Sequence, residues 1–401
     1  MLASFCLDEI SKQSVVATLR VTFYKTLTKK AKKKINKNEQ VKKQLEVLKI
    51  AIQTQDETLI AHQLAKFDLS ELTNLVQTDR VGALAHIDAM LLQGDDSVFD
   101  KLIEWANERE ISPSKFPRDK DALKALKELN LSECGLKTLP QELVCLQGLE
   151  ELDLSKNKFQ GVVPRVICEL KNLKTLILGG CGLNDLPDEF AKLQGLESLT
   201  LVNNGLYEFP KALCQLTSLK KLDLLRCGLE TLPYEIVNLQ GLEELVLGYN
   251  NFKEFPNALC GLINLKSLNL ANCGLETLPD TLEVLQKLEK LYLPLNPLVC
   301  DKWLDSRDLP QVIFKLRNLQ ELDLCDCNIP SCSTLPKEFI NLQNLKKLFI
   351  NSADFWSDSS VVVSSSQFPS DTTVLSNLKI QIESRGGRLE IHTSTKFKFF
   401  W

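Results

Sequence analysis

The chain has 401 residues, 44% of them hydrophobic and 25% charged, with a formal net charge of −4. That supplies enough apolar material for buried cores. It leaves too little net charge to draw the whole molecule to nucleic acid, and no apolar run reaches the ~20 residues of a membrane-spanning helix.

Met1 to Ile10 holds Asp8 and Glu9 where a secretory leader would carry basic residues and then an apolar stretch, so synthesis for a cytosol is expected. Residues 15–24 fit helix and strand equally well. Lys25 to Lys43 follows, with nine lysines against one acid, Glu39. Its first reading is a solvated linker or helix face, and its second a contact with an anionic surface or a nuclear-import signal. Next, Val41, Leu45, Leu48 and Ile52 share one helical face, Leu59, Ile60, Leu64 and Phe67 a second, and Leu84, Ile87 and Leu91 a third before Gly94. A helical N-terminal domain over residues 1–118 is predicted. It ends in a helix from Ser97 to Asn107 with Ser97 as N-cap and an apolar face of Val98, Phe99, Leu102, Ile103 and Ala106.

From Leu126 the unit L-x-x-L-x-L-x-x-(N/C)-x-L-x-x-L-P takes over. It runs from Leu126 to Pro140, Leu149 to Pro164, Leu173 to Pro187, Leu196 to Pro210, Leu219 to Pro233, Leu242 to Pro256 and Leu265 to Pro279, with looser copies from Leu288, Leu319 and Leu345. Between Pro164 and Pro279 the prolines recur every 23 residues. In Leu173-x-x-Leu176-x-Leu178 the period-two leucines face one side, as a short strand requires. After Pro187, Phe190, Leu193 and Leu196 recur at helical-turn spacing. One such unit cannot bury its own leucines, so neighbours must stack on a shared core.

This pattern resembles the intracellular leucine-rich-repeat family. It is closest to the 23-residue "LP" subtype of Ras-binding and scaffold proteins and of many bacterial effectors, and it covers more than half of the chain. The resemblance implies an α/β solenoid of about ten repeats over residues 119–351, with a curved parallel β-sheet on the concave face. It also implies that the Asn or Cys of each unit points inward and bonds the backbone of the adjacent turn. Trp105, Ile111, Phe116, Pro117 and Arg118 resemble the leading segment of bacterial members, so the helix from Ser97 is expected to cap the first repeat.

The thirteen cysteines are an odd number. Cys134, Cys181, Cys227, Cys273 and Cys327 alternate with Asn157, Asn204, Asn250 and Asn296 at the inward position. Cysteines two repeats apart would lie about 10 Å from each other, beyond the ~7 Å Cα reach of a disulfide. Cys168, Cys214 and Cys260 make a second two-repeat series after the prolines. All eight are read as core residues. Cys325, Cys327 and Cys332 lack a fourth ligand and a nearby histidine, so no metal and no other cofactor is expected.

The strand residues between the leucines would project from the concave face. Its expected partner-binding set is Glu151, Asp153, Ile177, Thr200, Val202, Asp223, Leu225, Arg226, Val246, Tyr249, Asn269 and Tyr292. Apolar, Tyr and Arg side chains cluster in the middle, as at interaction surfaces. No basic stripe marks a sequence-specific nucleic-acid site. The eighth repeat carries an insertion, residues 299–309, in which Trp303 and Arg307 are rim candidates.

Downstream, residues 352–370 are serine-rich and read as a loop, followed by a helix from Thr373 to Ser384, a turn at Gly386-Gly387 and a strand at Leu389-Glu390-Ile391. Residues 352–401 would then close the C-terminal end as a small cap. Lys396 to Trp401 either packs on that cap or, by resemblance, acts as a hydrophobic tail of the kind that bacterial type IV secretion machinery recognises.

The functional expectation is a non-enzymatic module that binds a protein partner. There is no Gly-rich phosphate loop, no H-E-x-x-H and no nucleophile elbow. The resemblance implies a cytoplasmic protein, or an effector delivered to a host cytosol. The alternative is the substrate-recognition part of a ubiquitin-ligase-type enzyme, or an activity hidden in the N-terminal domain. The missing cysteine after Ile350 opposes the former. The lack of an expected secretory leader and cysteines that read as reduced core residues oppose an extracellular receptor or adhesin.

Overall fold

The computed structural model describes residues 39–55, 57–66, 76, 80, 83–84, 87, 97–298, 309–327, 336–350, 373–384 and 390–393. Outside these lie Lys25 to Lys37, the insertion with Trp303 and Arg307, the serine-rich segment and the last eight residues. The chain divides into two compact units, Met1–Leu196 and Glu197–Trp401.

In the first unit, helices α1 (Glu39–Thr54) and α2 (Glu57–Lys66) pack together. Leu45, Leu48 and Ile52 recur at three- and four-residue spacing, which puts them on one face against Ile60 and Leu64. Helix α3 (Ser97–Glu108) buries Val98, Phe99, Leu102 and Ala106 and lies against the 3₁₀ helix Gln141–Cys145 of the first repeat. After it the chain is pinned by Phe116, which is fully buried with its ring edge-on to Trp105 at 5.8 Å. Arg118 fastens the same turn, donating from Nη2 to the carbonyl of Ile111 at 2.5 Å and from Nε to Asn107 Oδ1 at 2.7 Å. The short helix α4 (Lys120–Lys124) begins at Asp119, whose carboxylate accepts from the Ala122 amide at 2.8 Å.

Each repeat then follows one course. In the first seven repeats a three-residue strand gives way to a turn and the proline, and a 3₁₀ helix of five residues starts directly after it, as in Pro187 followed by Asp188–Lys192. Proline suits the place because its fixed φ leads into the helix and its missing N–H is not needed there. The expected convex helical turn is therefore 3₁₀ rather than α.

In the first unit β1 (Glu128–Asn130), β2 (Glu151–Asp153) and β4 (Thr175–Ile177) pair in parallel, Leu129 opposite Leu152 and Leu152 opposite Leu176. A second, two-stranded sheet joins β3 (Gly161–Val162) to β5 (Leu183–Asp185).

In the second unit β6 (Ser198–Thr200), β7 (Lys221–Asp223), β8 (Glu244–Val246), β9 (Ser267–Asn269), β10 (Lys290–Tyr292), β11 (Glu321–Asp323) and β12 (Lys347–Ile350) run parallel in that order. Their central leucines, Leu199, Leu222, Leu245, Leu268, Leu291, Leu322 and Leu348, are matched in register and buried. Strand β13 (Glu390–Thr393) adds to β12 in parallel, Ile391 opposite Leu348. Helix α5 (Thr373–Ser384) packs on the 3₁₀ helix Lys337–Asn341 and buries Ile382.

The inward Asn and Cys side chains tie successive turns together, unequally. Asn250 Oδ1 accepts from the amides of Cys227 (3.1 Å) and Leu229 (3.0 Å), while its Nδ2 donates to the carbonyls of Leu224 (2.9 Å) and Leu247 (2.7 Å). Asn296 repeats all four bonds one doublet later. Cysteine has one weak donor. Cys227 reaches the Leu201 carbonyl at 3.2 Å, Cys273 that of Leu247 at 3.3 Å and Cys327 that of Leu293 at 3.0 Å.

The same alternation runs through the charges just ahead of each strand. In the first unit Glu150 sits between Lys127 at 2.8 Å and Lys174 at 2.5 Å, which hold its carboxyl down to about 2. In the second, Lys220 pairs with Glu197 at 2.7 Å and Lys266 with Glu243 at 2.8 Å. Such exposed pairs add little stability. They favour the in-register stack, because a slip by one turn would place like charges side by side. The structural period is thus a doublet of one Cys/Lys turn and one Asn/Glu turn.

Candidate interaction surface

The strands hold their leucines inward, so the residues between them form an open strand face. In the first unit it is mostly polar. Glu151 is exposed, Asp153 and Ile177 are half-exposed, and Asn130 Nδ2 donates to Asp153 Oδ2 at 3.2 Å.

The last strand position often carries Asp or Asn for a local reason. The side chains of Asn130, Asp153, Asp223, Asn269 and Asp323 each accept from the backbone amide two residues on, at 2.9–3.0 Å. This Asx-type bond closes the end of the strand. Asp153 and Asp223 therefore have a structural task besides any contact with a partner. Burial pushes the Asp223 carboxyl above its usual range, against the lowering effect of the Leu225 amide.

In the second unit a column of apolar residues runs across the turns next to the strand ends. It consists of Val202, Leu225, Gly248, Ala271, Pro294 and Cys325. Val202 and Leu225 are half-exposed, whereas Gly248, Ala271, Pro294 and Cys325 form a buried floor. The adjacent column holds Arg226, whose guanidinium lies over the Tyr249 ring at 4.6 Å. Both residues sit in left-handed turns, with φ of 55° and 58°, which throws the two side chains to the same side. On the opposite flank are Thr200, Val246 and Tyr292, all half-exposed. The Tyr292 hydroxyl donates to Glu321 Oε2 at 2.8 Å, and Lys347 donates to Glu321 Oε1 at 2.9 Å. Burial and then the Glu321 carboxylate push the Tyr292 phenol up. Burial would raise Glu321, but the bonds from Lys347 and Tyr292 outweigh it and hold this carboxyl low.

Of the expected set, the structure gathers Leu225, Arg226, Val246 and Tyr249 on two adjacent turns, with Thr200, Val202 and Asp223 beside them and Tyr292 two turns beyond Tyr249. Glu151, Asp153 and Ile177 belong to the first unit. Asn269 corrects the expectation that every strand residue is presented, since it is only 1% exposed. Its neighbours in the next column, Gly248 and Ala271, are too small to hold it up.

The leucine pattern does not mark the most exposed large hydrophobic side chains among the described residues, Tyr207 at 68% and Tyr234 at 78%. Both lie off the strands, and Tyr234 stands directly after Pro233, a position that could have marked it. Nor does the pattern mark a buried ion pair, Lys192 to Glu169 at 2.7 Å, on consecutive 3₁₀ helices.

The cysteines are poorly suited to chemistry. Burial pushes the Cys214 thiol up to about 11 and those of Cys227, Cys273 and Cys327 up to about 12, so they are protonated and weakly nucleophilic at neutral pH. Among the described residues the ten cysteines form no disulfide.

The profile described as a leucine-rich repeat region matches residues 118–227, and that of the single leucine-rich repeat matches residues 264–285 and 318–342. These are leucine-rich repeats. A chain in the crystal structure of the Arabidopsis receptor kinase HAESA with the peptide hormone IDA and the co-receptor SERK1 superposes with a TM-score of 0.52 at 24% identity, over 65% of this chain and 46% of that one. The plant peptide hormone receptor RGFR1, in complex with RGF2, aligns at 29% identity with a TM-score of 0.44, over 57% of this chain and 41% of that one. An internalin from Listeria monocytogenes, inlF, aligns at 18% identity with a TM-score of 0.45, over 75% and 89%. The chain thus spans less than half the length of the two plant receptor chains. No curated protein matches its sequence. The HAESA likeness concerns the fold. The leucine-rich repeats make the chain a protein-interaction module in its general character.

Proposed function

We propose that the chain is a non-enzymatic recognition module that binds a protein partner on the strand face of its second unit. The supporting observation is the apolar column from Val202 to Cys325, flanked by the Arg226–Tyr249 pair stacked on consecutive turns and, two turns beyond Tyr249, by Tyr292. Tyr and Arg beside a desolvated apolar strip are the residue types that dominate binding energy. Among the described residues the cysteines are thiols, which favours a reducing compartment and supports action in a cytosol. The resemblance to bacterial effectors extends this to a host cytosol, and we assign Lys25 to Lys43 the role of an anionic-surface contact in addition to the protein site.

The test is proximity labelling with the full chain against the triple variant Leu225→Ala, Tyr249→Ala, Tyr292→Ala. The variant should keep its circular-dichroism spectrum and lose at least about 90% of the labelled partner, because several anchor contacts vanish together. Equal labelling by both would show that the partner sits elsewhere.

A further inference from the structure

The charges on the strand face of the second unit do not all find partners within it. Each acid of its strands is engaged. Asp223 and Asp323 accept the amides of Leu225 and Cys325, both at 3.0 Å. Glu244 holds Lys221 at 2.9 Å, and Glu321 holds Lys347 and the Tyr292 hydroxyl. Two exposed cations are left over. Lys290 stands opposite Glu321 in register but makes no hydrogen bond or ion pair among the described residues. Arg226 rests on the Tyr249 ring and pairs with no carboxylate among them. Its neighbours along the same column, Asn203 one turn before and Asn272 two turns after, are uncharged.

These two cations mark the ends of a diagonal across the sheet. Arg226 lies three residues beyond the end of β7, and Lys290 opens β10, three strand steps away. With the length of one strand added, they stand on the order of 20 Å apart. The path between them is low. It crosses Gly248 and Asn269, both buried, with Leu225 and Val246 half-exposed on one side and Tyr249 and Tyr292 half-exposed on the other. Over Gly248 it offers acceptors, because a methyl group placed on that glycine would lie 3.1 Å from Asn269 Oδ1 and 3.3 Å from the Ala271 carbonyl. A carboxylate, which can only accept, is repelled there, whereas a main-chain N–H or an apolar side chain is not. Acids of a ligand therefore belong at the ends of the path.

We propose that the partner lays an extended acidic segment along this diagonal, with one carboxylate on Arg226, a second on Lys290 and an uncharged stretch between them. An extended chain advances ~3.3 Å per residue, so the two acids stand roughly five to eight residues apart. Arg226 offers a planar fork that Tyr249 has already ordered, which lowers the cost of fixing it, while Lys290 offers a point charge. A nucleic-acid strand suits the path less well, since its continuous phosphates would also meet the acceptors over Gly248. The inference deepens the reading of the strand face as the binding surface and rests on it.

The experiment pans random linear peptides displayed on phage against the full-length chain. Wild type should enrich peptides with two fixed acids at that separation and uncharged residues between them. Arg226→Glu and Lys290→Glu alter exposed side chains without an internal ion pair, so melting temperatures should not change. Each should weaken the selected peptide at least about tenfold. Changing one acid of the peptide to lysine should restore binding to one of these variants, and changing the other acid should restore binding to the other. No enrichment, peptides without the acid pair, weakening without this one-to-one rescue, or equally tight binding of a single-stranded oligonucleotide would overturn the two-point segment. Leu225→Arg, which obstructs the path beside Arg226, then separates the two levels. If it abolishes binding of the captured ligand, the strand face survives as the binding surface. Undiminished binding to Leu225→Arg would place the ligand off this face and overturn both.

Discussion

Replacing Asn250 by alanine is expected to lower the free energy of unfolding by about 4 kcal/mol, and replacing Cys273 by alanine by only about 1 kcal/mol. Both residues occupy the inward position of their turn, but they satisfy different numbers of backbone groups. Asn250 serves two amides and two carbonyls on neighbouring turns. Its loss strands the two amides and the Leu224 carbonyl in the core at ~1–3 kcal/mol each, with some relief as the site relaxes or admits water, while the Leu247 carbonyl keeps only its weak bond from Cys273 Sγ at 3.3 Å. Cys273 offers its single weak donor to the carbonyls of Leu247 (3.3 Å) and Ala271 (3.6 Å), which still receive Asn250 Nδ2 at 2.7 Å and the Tyr249 amide at 2.6 Å. Its removal therefore leaves a small void and no orphan. Equilibrium urea unfolding followed by circular dichroism measures both. Equal losses would mean that the asparagines fill space and do not tie the turns.

Phe116→Ala is expected to cost about 4 kcal/mol, although Phe116 belongs to no repeat. Its ring is fully buried, meets Trp105 edge-on and lies 5.9 Å from the Arg118 guanidinium. It thereby locks the turn that follows α3, and α3 covers the first repeat's 3₁₀ helix. Without that cover the buried Leu143 and Val144 would meet water. Phe116→Leu should lose no more than about 1.5 kcal/mol, since it keeps most of the volume. A loss below about 1 kcal/mol for the alanine variant would show that α3 is not held by this residue.

The features legible in the sequence are those fixed within one turn. The period-two leucines, the proline that opens the return and the inward Asn or Cys each follow from local geometry. For that reason Leu199, Leu222, Leu245 and their counterparts lie where their spacing puts them. The α3 helix and α5, running from Thr373 to Ser384, follow from apolar periodicity in the same way. The alternation of Lys127, Glu150 and Lys174, and of Glu197, Lys220, Glu243 and Lys266, was equally open to inspection. It went unread because these residues fall just outside the leucine frame.

Features that depend on neighbouring turns were not legible. Asn269 has the same strand position as the exposed Asn130, yet it is buried because the residues around it differ in size. The stacking of Arg226 on Tyr249 needs two consecutive turns in the left-handed region, which neither residue type announces. Aspartate at the strand end reads as a charge for a partner, whereas its first task is to accept the amide two residues on.

Hydroxyl-radical footprinting of the full chain, with and without its captured partner, addresses the binding surface most directly. Partner binding should protect Leu225, Tyr249 and Tyr292 from oxidation at least severalfold, while Tyr234 and Ile263, exposed and off the strands, react at an unchanged rate. Protection of Tyr234 and Ile263 with Leu225, Tyr249 and Tyr292 still reactive would contradict recognition through the strand face.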